Sequence, residues 1–129
     1  MNIYILVVDD EPDVEALFRQ QFRRDIRAGR FVMEFAGSAM EALAKAAGIA
    51  DPSLILILSD INMPRMDGLS LLAKLQEADD KKSTVIVSAY GDMSNIRTAM
   101  NRGAFDFLTK PIDFGQVRQE IDARLEPSA

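Results

Sequence analysis

Carboxylates, one hydroxyl and one ammonium carry the chemistry open to this sequence, and each follows its own short apolar run. Asp9, Asp10 and Glu11 come after Ile3–Val8, Asp60 after Leu54–Leu58, Ser88 after Thr84–Val87, and Lys110 after Phe105–Leu108. Carboxylates held within a few ångströms repel one another, so all of them ionise at neutral pH only if a cation joins them or a pKa rises. A divalent cation is the economical answer. An all-oxygen donor set suits Mg²⁺ or Mn²⁺, and Mg²⁺ habitually takes one or two carboxylates plus waters and phosphate oxygens. Lys110 adds a point positive charge and Ser88 a hydroxyl donor, both natural partners of phosphoryl oxygens. The chain has neither Cys nor His. That excludes a thiol nucleophile, a Ser/His/Asp triad, a phosphohistidine of its own and any imidazole metal ligand. A carboxylate remains as the nucleophile of a phosphoryl transfer.

Taken singly, each residue has an ordinary structural role: Asp9 and Asp10 suit a helix N-terminus, where the dipole favours acids, and Asp60, Ser88 and Lys110 suit loops, turns and solvated surface. The functional argument rests on their occurring together, in order, each at the carboxyl end of a strand.

The elements that position them follow from two alternating periods. The apolar runs Ile3–Val8, Phe31–Phe35, Leu54–Leu58, Thr84–Val87 and Phe105–Leu108 are separated by segments whose apolar residues recur every three or four, which is β-α five times over. The helical segments are expected at about Asp13–Arg27, with Pro12 at its start; Ala39–Ala47, ending at Gly48; from Asp67, carrying Leu69, Leu72 and Leu75; Met93–Arg102, ending at Gly103; and Phe114–Leu125, capped by Asp113. Strands apolar on both faces must be covered on both faces, so the expected fold is α/β: a single doubly wound, five-stranded parallel sheet with five helices. Ligands bind such sheets beyond the carboxyl ends of the strands, where the chemistry-bearing residues fall.

With 129 residues, 48% of them hydrophobic and 27% charged, one core without staples is expected, a single domain over residues 1–129. The net charge of −5 argues against direct capture of nucleic acid. No run approaches the length of a membrane span, and Met1 leads at once into a strand with no signal-peptide pattern, so a cytoplasmic protein without a membrane partner is expected.

Four segments together resemble the receiver domain of two-component response regulators: Leu6-Val7-Val8-Asp9-Asp10-Glu11-Pro12, Ser59-Asp60-Ile61-Asn62-Met63-Pro64-Arg65-Met66-Asp67-Gly68-Leu69, Val87-Ser88-Ala89-Tyr90 and Leu108-Thr109-Lys110-Pro111. The resemblance implies strand order 2-1-3-4-5 and a phosphorylation-dependent signalling switch, not a turnover enzyme. By it Asp60 is the phosphoacceptor; Asp10, Asp60 and the backbone carbonyl of Asn62 bind Mg²⁺, with Asp9 assisting through water. Ser88 and Lys110 contact the phosphoryl group, Phe107 is the aromatic switch, Asn62 and Tyr90 tune the lifetime of the adduct, and Lys110-Pro111 is joined by a cis peptide. The implied partners are a sensor histidine kinase or phosphotransfer protein, an output domain C-terminal to the chain, and a phosphorylation-dependent second copy. Arg97, Asp106, Arg118 and Asp122 are the charges expected to pair between copies.

Rival chemistries lack a part. An aspartyl phosphatase of the haloacid dehalogenase type needs a second Asp two residues past the nucleophile as general acid, and that place holds Asn62. A flavodoxin-like FMN site needs a phosphate loop of hydroxyls and backbone N–H groups after the first strand, where Asp9-Asp10-Glu11 would repel phosphate.

Overall fold

The structure is a computed structural model that describes residues 3–49, 54–61, 70–74, 84–89 and 92–125. In chain order the elements are β1 (Tyr4–Val8), α1 (Asp13–Gln21), α2 (Arg23–Arg27), β2 (Val32–Ala36), α3 (Ala39–Gly48), β3 (Leu54–Asp60), a helical stretch over 70–74 (α4), β4 (Thr84–Ala89), α5 (Met93–Asn101), β5 (Asp106–Lys110) and α6 (Phe114–Leu125). All strand pairs are parallel, in the order β2-β1-β3-β4-β5.

The period of two along β1 decides which layer each side chain serves. Ile5 and Val7 join Phe18 and Phe22 of the α1–α2 segment and Val117 and Ile121 of α6 in one core cluster. Leu6 and Val8 point the other way, to Ala39, Ala42 and Ala46 of α3 and Leu71 of α4. A third cluster joins Ile86 of β4 to Ile96 and Ala99 of α5, with Phe107 of β5 packed against it. Both faces of the sheet are therefore dry, as the uninterrupted apolar strands require.

Three strands run further than their apolar residues. β3 continues through Ser59 to Asp60, β4 to Ala89 and β5 to Lys110, so Asp60, Ser88 and Lys110 are fixed by ladder hydrogen bonds. The residues around them are equally constrained: Ile61 N–H donates to the Val87 carbonyl at 3.2 Å and Asp9 N–H to the Ala36 carbonyl at 3.0 Å.

The single helix expected over Asp13–Arg27 is divided at Phe22, whose φ of −111° and ψ of 21° depart from helical values. The i→i−4 bonds Phe22 N–H to Phe18 O and Ile26 N–H to Phe22 O persist at 3.0 Å each, so the segment is deformed and not ended. Phe22 is 1% exposed and its ring meets those of Phe18, Phe31 and Phe114. Tertiary packing of that ring overrides the regular helix that local propensity favours. α2 then closes in a Schellman turn: Gly29 sits at φ +74°, its N–H bonds Ile26 O, and Arg30 N–H reaches Asp25 O at 3.0 Å.

The cap expected at Asp113 stands at the start of α6, and α3 has one at Ser38 that the sequence reading did not name. Ser38 Oγ accepts Glu41 N–H at 3.1 Å, half of a capping box, and Asp113 Oδ1 accepts Gly115 N–H at 2.8 Å. The expected cap Asp67, together with Leu69 and Leu75, lies outside the described residues. No helix among the described residues is long and apolar enough to cross a membrane.

Candidate functional site

The carboxyl ends of β1, β3, β4 and β5 gather the residues singled out in the sequence. Asp9 and Asp10 follow β1, and each offers a carboxylate oxygen lying within 4.8 Å of one from Asp60 and from the other. Asp60 is 3% exposed at the end of the central strand, while Asp10 is open to solvent. Lys110 Nζ donates to Asp60 Oδ2 at 2.9 Å and stands 3.9 Å from Asp9 Oδ2 and 3.8 Å from Glu11 Oε1. Asp9 also accepts Glu11 N–H at 2.9 Å. The Lys110–Pro111 peptide bond is cis.

The electrostatics follow from this crowding. Burial pushes the Asp9 carboxyl above the ordinary carboxylate range and the Asp60 and Glu11 charges push the same way, against the Glu11 N–H bond and the Lys110 charge. Burial works against the Lys110 ammonium, but its hydrogen bond to Asp60 and the charges of Asp60, Asp9 and Glu11 outweigh that and hold its pKa above the ordinary lysine value. One ammonium thus faces three carboxylates, and Asp10 adds a fourth to the cluster. The donor set is all oxygen, partly buried and still short of positive charge, which fits a small hard divalent cation.

Ser88 is fully buried. Its hydroxyl donates to Asp92 Oδ2 at 3.1 Å, and Asn95 Nδ2 donates to the same oxygen at 3.1 Å. Sequence reasoning missed Asp92, although an Asp just ahead of a helical period and four residues past a strand-end Ser carries a legible capping signal. Phe107 is partly buried against the third core cluster. The expected contributions of Asn62 and Tyr90, and the stretch Met63-Pro64-Arg65-Met66, lie outside the described residues.

Three of the four charges expected on a self-association surface make contacts within the fold. Arg118 Nη1 donates to Asp25 Oδ2 at 2.9 Å and Asp122 Oδ1 accepts from Arg30 Nη2 at 3.1 Å. Arg30 also bonds Asp25. Burial alone would raise the Asp25 carboxyl, but the two guanidinium hydrogen bonds hold it below the usual range. Asp106 engages Glu120, whose own carboxyl is pushed up by burial and by that contact against the opposing pull of Arg124. The network pins α2 and the turn after it to α6.

The arrangement can hold a divalent cation, present a carboxylate oxygen to an incoming phosphorus, and balance the resulting charge with an ammonium. Beside it an apolar groove opens between α1 and α6, lined by Leu17, Phe18, Ile112 and Phe114.

Comparison with known proteins gives a consistent picture. The profile of the response regulator receiver domain matches residues 5–122. Response regulator protein PilR of Pseudomonas aeruginosa is 36% identical over 93% of this chain, and the chain spans 25% of PilR's length. A CheY-like response regulator receiver domain protein from Methanospirillum hungatei superimposes with a TM-score of 0.84 at 26% identity, covering 98% of this chain and 96% of that one. A chain of the CheX–CheY–BeF3–Mg²⁺ complex from Borrelia burgdorferi has a TM-score of 0.75 at 26% identity, covering 94% of this chain and 87% of that one.

Proposed function

The chain belongs to the response regulator receiver domain family, signalling phosphoacceptors and not conventional enzymes, and on that premise we propose that Asp60 accepts a phosphoryl group from the phosphohistidine of a partner kinase or phosphotransfer protein. A carboxylate oxygen of Asp60 attacks phosphorus, and the new O–P bond forms as the N–P bond breaks and the imidazole nitrogen keeps the electron pair. The observation that carries this reading is the meeting of Asp9, Asp10 and Asp60 within 4.8 Å, with Lys110 hydrogen-bonded to the most buried of the three. Asp9, Asp10 and Asp60 would hold Mg²⁺, with Mn²⁺ as its closest substitute, and the Asn62 carbonyl completes the set proposed for it. Bound there, the cation neutralises phosphoryl oxygens. Lys110 is already placed to pair with the added charge of roughly −1.5 to −2, and Ser88 supplies a hydroxyl one strand away. The groove between α1 and α6 gives the phosphodonor an apolar surface beside the acids.

Because the chain spans a quarter of PilR's length, its output is proposed to lie in a further domain or partner that reads the change on the α5–β5–α6 side, or in association of two copies. Acetyl phosphate with Mg²⁺ should add one phosphoryl group, read as an increase in intact mass, and Asp60→Asn should not gain it. Equal labelling of the Asp60→Asn protein would reject Asp60 as acceptor.

A further inference from the structure

We propose that Asp92 is a positioning residue with two alternating partners: it holds the Ser88 hydroxyl while Asp60 is unmodified, and caps α5 once Ser88 is drawn to the phosphoryl group. The inference rests on the reading of Asp60 as phosphoacceptor and Ser88 as a phosphoryl contact, and adds the group with which that contact must compete.

Three observations carry it. The Ser88 hydroxyl, fully buried, donates to Asp92 Oδ2 at 3.1 Å. A serine hydroxyl has a single proton, so it cannot serve Asp92 and a phosphoryl oxygen at once. Asp92 occupies the N-cap of α5, where Asp is among the preferred residues because its carboxylate accepts an N–H of the first turn; yet this side chain makes no capping hydrogen bond. Oδ2 is occupied instead by Ser88 and by the Asn95 side-chain amide. The first-turn N–H groups of a helix have no intrahelical acceptor, and an acid beside them is favoured by the helix dipole. Losing Ser88 therefore hands the Asp92 carboxylate a ready alternative in the N–H groups of Ser94 or Asn95.

The consequence reaches the surface through packing. α5 contributes Ile96 and Ala99 to the cluster against which Phe107 rests. A tighter first turn of α5 alters the wall that the Phe107 ring meets, so the exchange at Asp92 links the hydroxyl to the aromatic side chain through the helix between them.

Beryllofluoride with Mg²⁺, standing in for the phosphoryl group, tests the exchange in the 129-residue chain. Wild type, Ser88→Ala, Asp92→Ala and the double variant form a cycle read as beryllofluoride affinity. Asp92→Ala removes both the charge-assisted bond that holds Ser88 and the cap that would replace it, so binding should tighten by about threefold, the excess of the first over the second. In the Ser88→Ala background Asp92 has no hydroxyl to hold and caps α5 with or without beryllofluoride, so the effect of the same substitution should be smaller by about twofold or more. The second readout is amide exchange at Ser94 and Asn95. Beryllofluoride should slow it by about fivefold in wild type, not at all in Asp92→Ala, and again in Asp92→Asn, which keeps an acceptor oxygen and a strong capping side chain. Additive affinities, or first-turn amides indifferent to beryllofluoride in a wild-type protein that binds it, would overturn the role of Asp92 and leave the phosphoacceptor standing. Failure of wild type to bind beryllofluoride would remove both.

Discussion

Lys110 Nζ donates to Asp60 Oδ2 at 2.9 Å and is the common neighbour of Asp9 and Glu11 at 3.9 and 3.8 Å, so one ammonium neutralises two of the carboxylates that a divalent cation would join. The two cations would compete through charge. Lys110→Met should tighten Mg²⁺ binding by roughly three- to tenfold at moderate salt, the side chain's 30% exposure keeping the effect well below its value in a dry interior. Calorimetric titration of both proteins measures it, and unchanged or weaker binding in the variant would contradict this competition for shared carboxylates.

Asp9 should work against the fold when no divalent cation is present. Its folded-state pKa lies above 3.8, raised first by burial, so the native state binds more protons than the unfolded chain just above that value. Stability then falls as pH rises through that window. Asp9→Asn removes the cost, and in chelator at neutral pH its melting midpoint should rise by roughly 2–4 °C. With saturating Mg²⁺ the order should reverse, because the variant has lost a carboxylate next to the cation. Thermal melts in the two buffers check both signs.

Asp25 has the opposite linkage. Its carboxyl is held below 3.8 because the bonds from Arg30 and Arg118 exceed the burial penalty, so its contribution is present above pH 3.8 and is lost as pH falls through the depressed folded value. Asp25→Ala should cost about 1–3 kcal/mol at neutral pH, below the figure for a fully buried pair because both arginines keep access to water. The deficit should shrink as the solution is acidified below pH 3.8. Urea unfolding of the two proteins across that range gives the comparison.

Gly29 and Gly37 separate backbone strain from crowding. A Cβ at either would meet nothing within 4 Å, but only Gly29, at +74°, has a positive φ. Gly29→Ala should destabilise by about 1–2 kcal/mol, since the left-handed conformation that closes α2 is costly for an L-residue. Gly37→Ala should be neutral or stabilising by up to about 1 kcal/mol. Equal costs at both positions would refute the assignment to φ.

The sheet and the acid cluster were legible because both depend on residue type and short-range period. Apolar runs ending in Asp9, Asp60, Ser88 and Lys110 locate strands and site together, and a buried parallel sheet leaves such runs no alternation to confuse. What stayed hidden is set by contacts distant in sequence. The division at Phe22 reflects rings of Phe31 and Phe114, and the internal pairing of Arg118 with Asp25 spans 93 residues. Local periodicity sees Arg118 and Asp122 only as charges on an amphipathic helix, so they looked available to another molecule. Asp92 was hidden for a different reason. It has the residue type and place of an ordinary cap, and only the folded structure reveals that its carboxylate is committed to Ser88 and Asn95.

The strand order also makes the site a shared possession of the sheet. Asp60 lies on β3, the middle strand, and its counter-charge on β5, an edge strand with one neighbour. Asp9 to Asp60 spans 51 residues and Asp60 to Lys110 spans fifty, so the two contacts cost comparable chain entropy and neither has a head start. Acids and ammonium therefore stand or fall with the whole sheet, and fraying of the edge strand alone would strip Asp60 of its lysine while leaving the acids in place.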